Sequence, residues 1–310
     1  MNTKKSACSG GAMQRRDFIT AIASAVGATS LPLVAFPALA ANPRPAVALT
    51  VQQVIDLILA EIPGAPFPQT VDTIKAGEAN QAVTGIVTTM FATVEVIRKC
   101  AARNANFIIA HEPTFYNHQD DTTWLEDDKV YQFKADLLKK HGITVWRFHD
   151  YMHSHRPDGV RIGVLTKLEW QKYYEEDSAV VTIPQMTLED LLRHAKSRLG
   201  ITQAKVLGDP RQVCKRVAIM PGASGGRSHL QVLKRERPDV FLCGEVNEWE
   251  TTEYIRDARA MGESVSLVVL GHALSEEPGM EWLVTWLQPK VGGIRVTHLA
   301  SGDPYSVNLS

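Results

Sequence analysis

Four short apolar runs in this chain each end in a residue able to bind a metal ion. His111-Glu112 follows residues 107–110, His149-Asp150 follows 145–148, Glu245 follows 241–244, and His272 follows 267–271. Each run has the length and composition of a buried strand. Imidazole and carboxylate gathered at one sheet edge suit zinc, iron, manganese or nickel, whereas calcium favours oxygen donors alone. A single His-Glu pair after a strand is an ordinary loop, so the recurrence at four strand ends carries the reading. His149 with His153, and His272 with Glu276, are spaced four residues apart, which puts each pair on one side of a helix. A solvated surface pair has the same spacing. His155 offers a further imidazole, without a spacing that supports it.

Such a site needs strands that end together. From Thr50 onward helical and strand patterns alternate. Thr50-x-x-Gln53 has the form of a capping box, and Val51, Ile55, Leu57, Ile58 and Ile62 form an apolar face that stops before Pro63-Gly64. A strand is expected over 83–90, a helix over 93–105, a strand over 106–110, a helix near 128–140 closed by His141-Gly142, and a strand over 143–148. Residues 158–182 show no clear period. Thr187-x-x-Asp190 then caps a helix to Leu199, followed by a strand over 216–220, a glycine-rich turn over 221–226 and a helix reaching Arg235. Strands over 240–243, 265–270 and 294–297 and helices near 249–261 and 277–287 complete the pattern. The alternation predicts an α/β fold with mostly parallel sheets and a site beyond the carboxyl ends of the strands.

The stretch Ala105-Asn-Phe-Ile-Ile-Ala-His-Glu-Pro-Thr-Phe-Tyr116 resembles the strand and paired-histidine loop of the Nif-three family, the NGG-one interacting factor three proteins with a dinuclear metal centre. Gly271-His-Ala-Leu-Ser-Glu276, followed by Gly279, is similar to that family's closing motif, in which a His and a Glu four residues later bind metal. The glycine-rich turn after Val217–Met220 and Cys243-Gly-Glu245 also fall in matching order. The resemblance extends from about Leu57 to Leu299. It implies two intertwined α/β halves, about 50–160 and 185–305, within a domain of residues 41–305. It also implies two divalent metal ions and a homohexameric ring.

The family's ligands are two adjacent histidines, an aspartate four residues after another histidine, and the closing His and Glu. This chain has Glu112 in place of the second adjacent histidine and His153 in place of the aspartate. The implied set is then His111, Glu112, His153, His272 and Glu276, with three imidazoles and two carboxylates as before. His149 lies close by, as a ligand or proton carrier. Glu245 is placed to orient an imidazole or accept a proton.

Two adjacent metal ions commonly serve hydrolysis, so a metal-dependent hydrolase of a small molecule is expected. A metal-binding or metal-delivery protein would need the same ligands and no substrate. Family members often carry the label GTP cyclohydrolase I type 2 homologue, which implies opening of a purine ring. Against that, the chain has no Gly-rich phosphate loop followed by Lys. Gly222-Ala-Ser-Gly-Gly226 matches the G-x-S-x-G elbow of serine hydrolases, and Asp239 or Asp257 followed by His272 would keep the triad's chain order. A glycine-rich strand-to-helix turn has plainer backbone reasons, and His272 is already claimed by the metal motif.

The leader settles the expected compartment. Lys4, Lys5, Arg15 and Arg16 precede an apolar stretch over 18–40 that ends in Ala38-Leu39-Ala40, a small-x-small cleavage site. Arg15-Arg16-Asp17-Phe18-Ile19 resembles a twin-arginine signal, whose export machinery carries folded proteins to the periplasm. An uncleaved anchor would need the same length, but Gly27, Ser30, Pro32 and Pro37 weaken a spanning helix. Without residues 1–40 the formal net charge moves from −1 to −4, which offers nothing to attract nucleic acid. Cys100, Cys214 and Cys243 are odd in number, lack C-x-x-C spacing and lie in or beside apolar segments, so buried free thiols are expected. Core packing is the default for Trp146, Trp249, Trp282 and Trp286.

Overall fold

The structure is a computed structural model that describes residues 48–176 and 178–305. The export signal expected over residues 1–40 lies outside the described residues. The first helix, α1 (Val51–Leu59), starts at the capping box read from the sequence. Thr50 Oγ1 accepts from the Gln53 amide at 3.2 Å, and Gln53 Oε1 accepts from the Thr50 amide at 2.9 Å.

One sheet contains β1 (Ile74–Ala76), β2 (Ile86–Thr89), β3 (Phe107–Ala110), β4 (Thr144–Arg147) and β10 (Val296–His298), in the order β1-β4-β3-β2-β10. All neighbours in it are parallel except β1 with β4. The other contains β5 (Val180–Thr187), β6 (Lys205–Leu207), β7 (Val213–Met220), β8 (Val240–Cys243) and β9 (Ser266–Val269), in the order β5-β7-β8-β9-β6. Its three central strands are parallel and its two edges antiparallel. Every residue of β2, β3, β4 and β8 is buried, as expected of parallel strands covered on both faces.

Helices return between strands as the alternation required. They are α2 (Val94–Ala102), α3 (Lys129–His141), α6 (Leu188–Leu199), α7 (Gly226–Glu236) and α8 (Glu253–Ala260). Gly142 and Gly200 end α3 and α6 in the left-handed conformation that glycine takes without strain. The late strand β10 joins the first sheet beside β2, which intertwines the halves. A single apolar cluster joins Val54, Phe107 and Trp146 to Val164, Leu242 and Met280.

The stretch without a clear period, 158–182, contains α5 (Gly159–Lys167) and the start of β5. Buried residues surround most of α5, which erases an amphipathic period. Pro184 lies within β5, tolerated because the strand is an edge whose register shifts between Thr182 and Met186. The helix expected near 277 instead begins five residues earlier as α9 (His272–Leu287), with Pro278 inside it. The segment expected as one helix near 249–261 is a π turn at Glu248–Thr252 followed by α8, and Trp249 is 77% exposed rather than in the core.

Helices α5 and α9 cross with backbone almost touching. A Cβ on Gly163 would fall 2.6 Å from Gly279 Cα, and one on Gly279 would fall 2.7 Å from Val160 Cα. The crossing packs Pro278 and Gly279 of α9 against α5. Cys100, Cys214 and Cys243 are buried free thiols. Among the described residues, no helix is long and apolar enough to cross a membrane.

Candidate metal centre

Strand ladders carry the first two site residues to the sheet edge. The His111 amide donates to Thr89 O at 3.1 Å and the Glu112 amide to Met90 O at 2.9 Å, extending the β2–β3 pairing by one step. His149 follows β4 and caps the short helix α4 (Asp150–Ser154), whose last turn holds His153. Asp72 secures this corner by accepting the amides of His149 and Tyr151, each at 2.8 Å. On the second sheet, β8 leads to Glu245, and β9 leads to His272 and then Glu276, one turn apart on α9.

Three of the four imidazoles have a hydrogen-bond acceptor at Nδ1: Phe148 O at 3.0 Å for His111, Asp150 Oδ1 at 2.9 Å for His149 and Asp158 Oδ2 at 3.0 Å for His153; His272 Nδ1 lies 3.3 Å from Glu245 Oε2. An acceptor at Nδ1 holds the proton there and leaves the Nε2 lone pair for a metal, the arrangement that outer partners impose on ligating histidines. A neutral His111 is bound to this tautomer, because a carbonyl can only accept.

The Nε2 atoms meet carboxylate oxygens from both sheets. Glu276 Oε2 lies 3.1 Å from His272 Nε2 and 3.7 Å from His111 Nε2. Glu112 Oε1 lies 3.3 Å from His272 Nε2 and 3.7 Å from His149 Nε2. One donor atom each from His111, His149 and His153 lie within 4.8 Å of one another, and so do donors from His111, Glu112 and Glu276. Four buried atoms here lack a hydrogen-bond partner among the described residues: His111 Nε2, His272 Nε2, Glu276 Oε2 and Arg147 Nη2. Left unmatched, buried polar atoms cost about 1–3 kcal/mol each. Three of the four are ligand-type atoms grouped together, which fits a shared cation. These buried His and Glu groups could hold a metal ion, and the nitrogen-rich donor set suits a transition metal.

Sequence reasoning missed several supports. Asp158 caps α5 through the Arg161 amide, at 3.0 Å, while its other oxygen holds His153. Its signal was an acid placed before an apolar helix, in the segment that showed no clear period. Arg147 is fully buried at the end of β4; its signal was a charge inside an apolar run. It donates to the carbonyls of His111 and His118 and lies 3.5 Å from Glu112 Oε2 and 3.7 Å from Asp120 Oδ2. Gly222, at φ 71°, sits so close to Glu276 that a Cβ would fall 2.1 Å from Oε1, and its amide donates to Ser275 Oγ at 2.9 Å.

Burial and charge pull the imidazoles apart. Desolvation drives His111 below its usual value and lowers His149 to about 4, so both are neutral. Burial also opposes charge on His153 and His272, but Asp158, Glu276 and Glu112 outweigh it. Those acids raise His153 to about 9 and His272 to about 10. Glu112 falls to about 2 despite its burial, because His272, His111 and His149 favour its anion. Glu276 is likewise lowered, against strong desolvation, by His111 and His272. Positive charge thus already gathers where cations would sit.

The sequence profile of the Duf34/NIF3 family (NGG1p interacting factor 3) matches residues 71–304, a span that includes every one of these side chains. The chain belongs to this family. It is 23% identical over 216 residues to a Clostridium perfringens protein named GTP cyclohydrolase 1 type 2 homolog, covering 66% of this chain and 78% of that one. Its fold is similar to that of the Staphylococcus aureus protein SA1388, with a TM-score of 0.68 at 21% identity, over 84% of this chain and all of the other. A Bacillus cereus protein related to NIF3 gives a TM-score of 0.66 at 16% identity, over 84% of this chain and 99% of that one.

In this NIF3-family chain Glu112 and His153, the two residues expected to depart from the family's ligands, each group with His111, Glu112 beside Glu276 and His153 beside His149. His155 does not join them. Its Nδ1 bonds Pro157 O at 2.7 Å and its ring packs edge-on against Trp282 and Trp286. The triad order considered for Ser224 is not assembled either. Ser224 Oγ lies 3.5 Å from Nε2 of His229, not of His272, and Asp239 accepts the amides of Lys215 and Arg216 instead. A cavity of about 470 Å³ opens onto the His/Glu cluster, with His118, Asp158, Arg161 and Ser224 also in its wall.

Proposed function

We propose that the protein binds two divalent transition-metal ions through His111, Glu112, His153, His272 and Glu276 and hydrolyses a small molecule held in the adjoining cavity. The observation that carries this reading is the set of four imidazoles, three of them held by hydrogen bonds at Nδ1, gathered with Glu112 and Glu276. Bound ions would supply Lewis acidity and lower the pKa of water. The chain's own residues do the rest. Glu245 and Asp158 keep His272 and His153 aimed, and Phe148 O does the same for His111. His149, neutral and half-buried in the cavity wall, can accept a proton at Nε2 while Asp150 steadies Nδ1.

Elemental analysis of the purified protein is the first test, with about two equivalents of metal per chain expected. Turnover of phosphoester and amide substrates by metal-loaded wild type should then exceed that of His272→Ala. Equal background rates in both, with metal retained by the wild type, would favour a metal-binding or metal-delivery role instead. The relative's name points to a purine substrate, but the pattern of a Gly-rich phosphate loop is missing from this chain, so hydrolysis of a small molecule is proposed without that substrate.

The leader residues support export to the periplasm by the twin-arginine route, and family resemblance supports a hexamer. Cell fractionation of the Arg15→Lys/Arg16→Lys variant and the solution mass of the mature protein check these two points.

A further inference from the structure

The cavity beside the His/Glu cluster carries one strong cation that the metal site does not use. Arg161 lies in the first turn of α5 and lines this cavity. Its guanidinium stacks over the Tyr174 ring at 5.5 Å from the centroid and donates through Nη2 to Ser178 O. These contacts fix the plane of the group before any ligand arrives. Among the described residues its Nε is buried and has no hydrogen-bond partner. Asp158, the acid beside it, is engaged by His153 and by the Arg161 backbone amide. A half-buried guanidinium with an unmatched N–H is costly, and that cost is relieved by an oxyanion.

We propose that Arg161 is the anion-recognition residue of this cavity, and that the substrate is an organic oxyanion, phosphate or carboxylate, on a small apolar body. The proposal rests on the hydrolase reading and adds the substrate class to it. A fixed planar guanidinium matches both phosphate and carboxylate oxygens. The lining also includes Ile219, Met220, Pro221 and Ala223, which are apolar and can accept the remainder of such a molecule. Charge points the same way. Two divalent ions would exceed the charge of Glu112 and Glu276, and Arg147 already faces Glu112, so the cavity gains from an incoming anion.

Titration calorimetry with phenylphosphonate, benzoate and the neutral control benzamide tests this on metal-loaded protein whose metal content is measured in parallel. Wild type should bind phenylphosphonate or benzoate and not benzamide, and the order of the two anions reports which oxyanion fits. Arg161→Gln should weaken the preferred anion about ten- to hundredfold at unchanged metal content, with Arg161→Lys between the two. Equal affinity in wild type and Arg161→Gln, with metal retained, overturns the assignment and leaves the hydrolase reading standing. Should wild type itself hold no metal, that reading fails and the same comparison on metal-free protein judges Arg161. Weaker binding by the variant then supports the assignment, and equality or no binding overturns it. Where Arg161→Gln lacks a cooperative thermal melt, Arg161→Lys replaces it, and affinity equal to wild type overturns the proposal.

Discussion

The Arg147 guanidinium lies 3.5 Å from the outer carboxylate oxygen of Glu112, and both are buried. Arg147 thus holds one oxygen of Glu112 while the other, 3.3 Å from His272 Nε2, faces the cluster. That relationship gives the buried carboxylate of Glu112 its own counter-charge, which offsets the cost of burying a second acid beside Glu276.

Replacing Arg147 by Met should be strongly destabilising. It would remove the cation beside Glu112 Oε2, leave Asp120 with Lys75 alone, and free the carbonyls of His111 and His118. Breaking one side of a buried pair costs about 3–5 kcal/mol. Urea unfolding should show a loss of that order, and Arg147→Lys, which keeps the charge but not the fork, should fall between.

Metal uptake should release protons. In metal-free protein His153, at about 9, and His272, at about 10, are charged at neutral pH, and a ligating imidazole must be neutral. Affinity for zinc should therefore rise with pH up to about 9–10, and calorimetry in buffers of different ionisation enthalpy should count the protons expelled.

The same two groups set a stability window. Their folded values lie above the usual 6.5, so their contribution is fully present below pH 6.5 and is lost as pH rises through 9 to 10. Thermal melts of metal-free protein should decline across that range. Metal-loaded protein should lack the decline, because its imidazoles carry no proton to lose.

Asp158→Asn separates cap from charge. Asn caps a helix about as well as Asp, so stability at pH 7 should change by no more than about 1 kcal/mol from the cap itself. The charge that raises His153 would be gone, so its NMR titration should move down from about 9. Metal affinity should fall about tenfold to a hundredfold, the usual effect of losing an outer partner.

Gly222→Ala should disturb the site from a residue that donates no ligand. The new methyl would fall 2.1 Å from Glu276 Oε1 at a backbone angle of φ 71°. Expected outcomes are a loss of about 1–3 kcal/mol from strain and a displaced carboxylate, read as reduced metal content.

Local chemistry settled much of this protein before any folding. The capping box at Thr50, the glycine stop at Gly142 and the apolar four-residue strands all depend on neighbours in sequence, and they stand where the pattern placed them. Strand ends likewise marked His111, His149, Glu245 and His272, because a parallel sheet delivers its loops to one edge. Elements without a period stayed hidden: α5 is buried around most of its circumference, and β1 and β6 are three-residue edges.

What tertiary structure alone decided is which neighbours meet. His153 and His155 are two residues apart and equally able to bind metal. The turn of α4 sends the first to Asp158 and the cluster, and the second to Trp282 and Trp286. Ser224 meets His229 rather than His272, and Arg147 finds Glu112 behind the site. Tautomer, charge and counter-charge are properties of contacts between segments far apart in the chain, so residue order could name the candidates and only their packing could assign the roles.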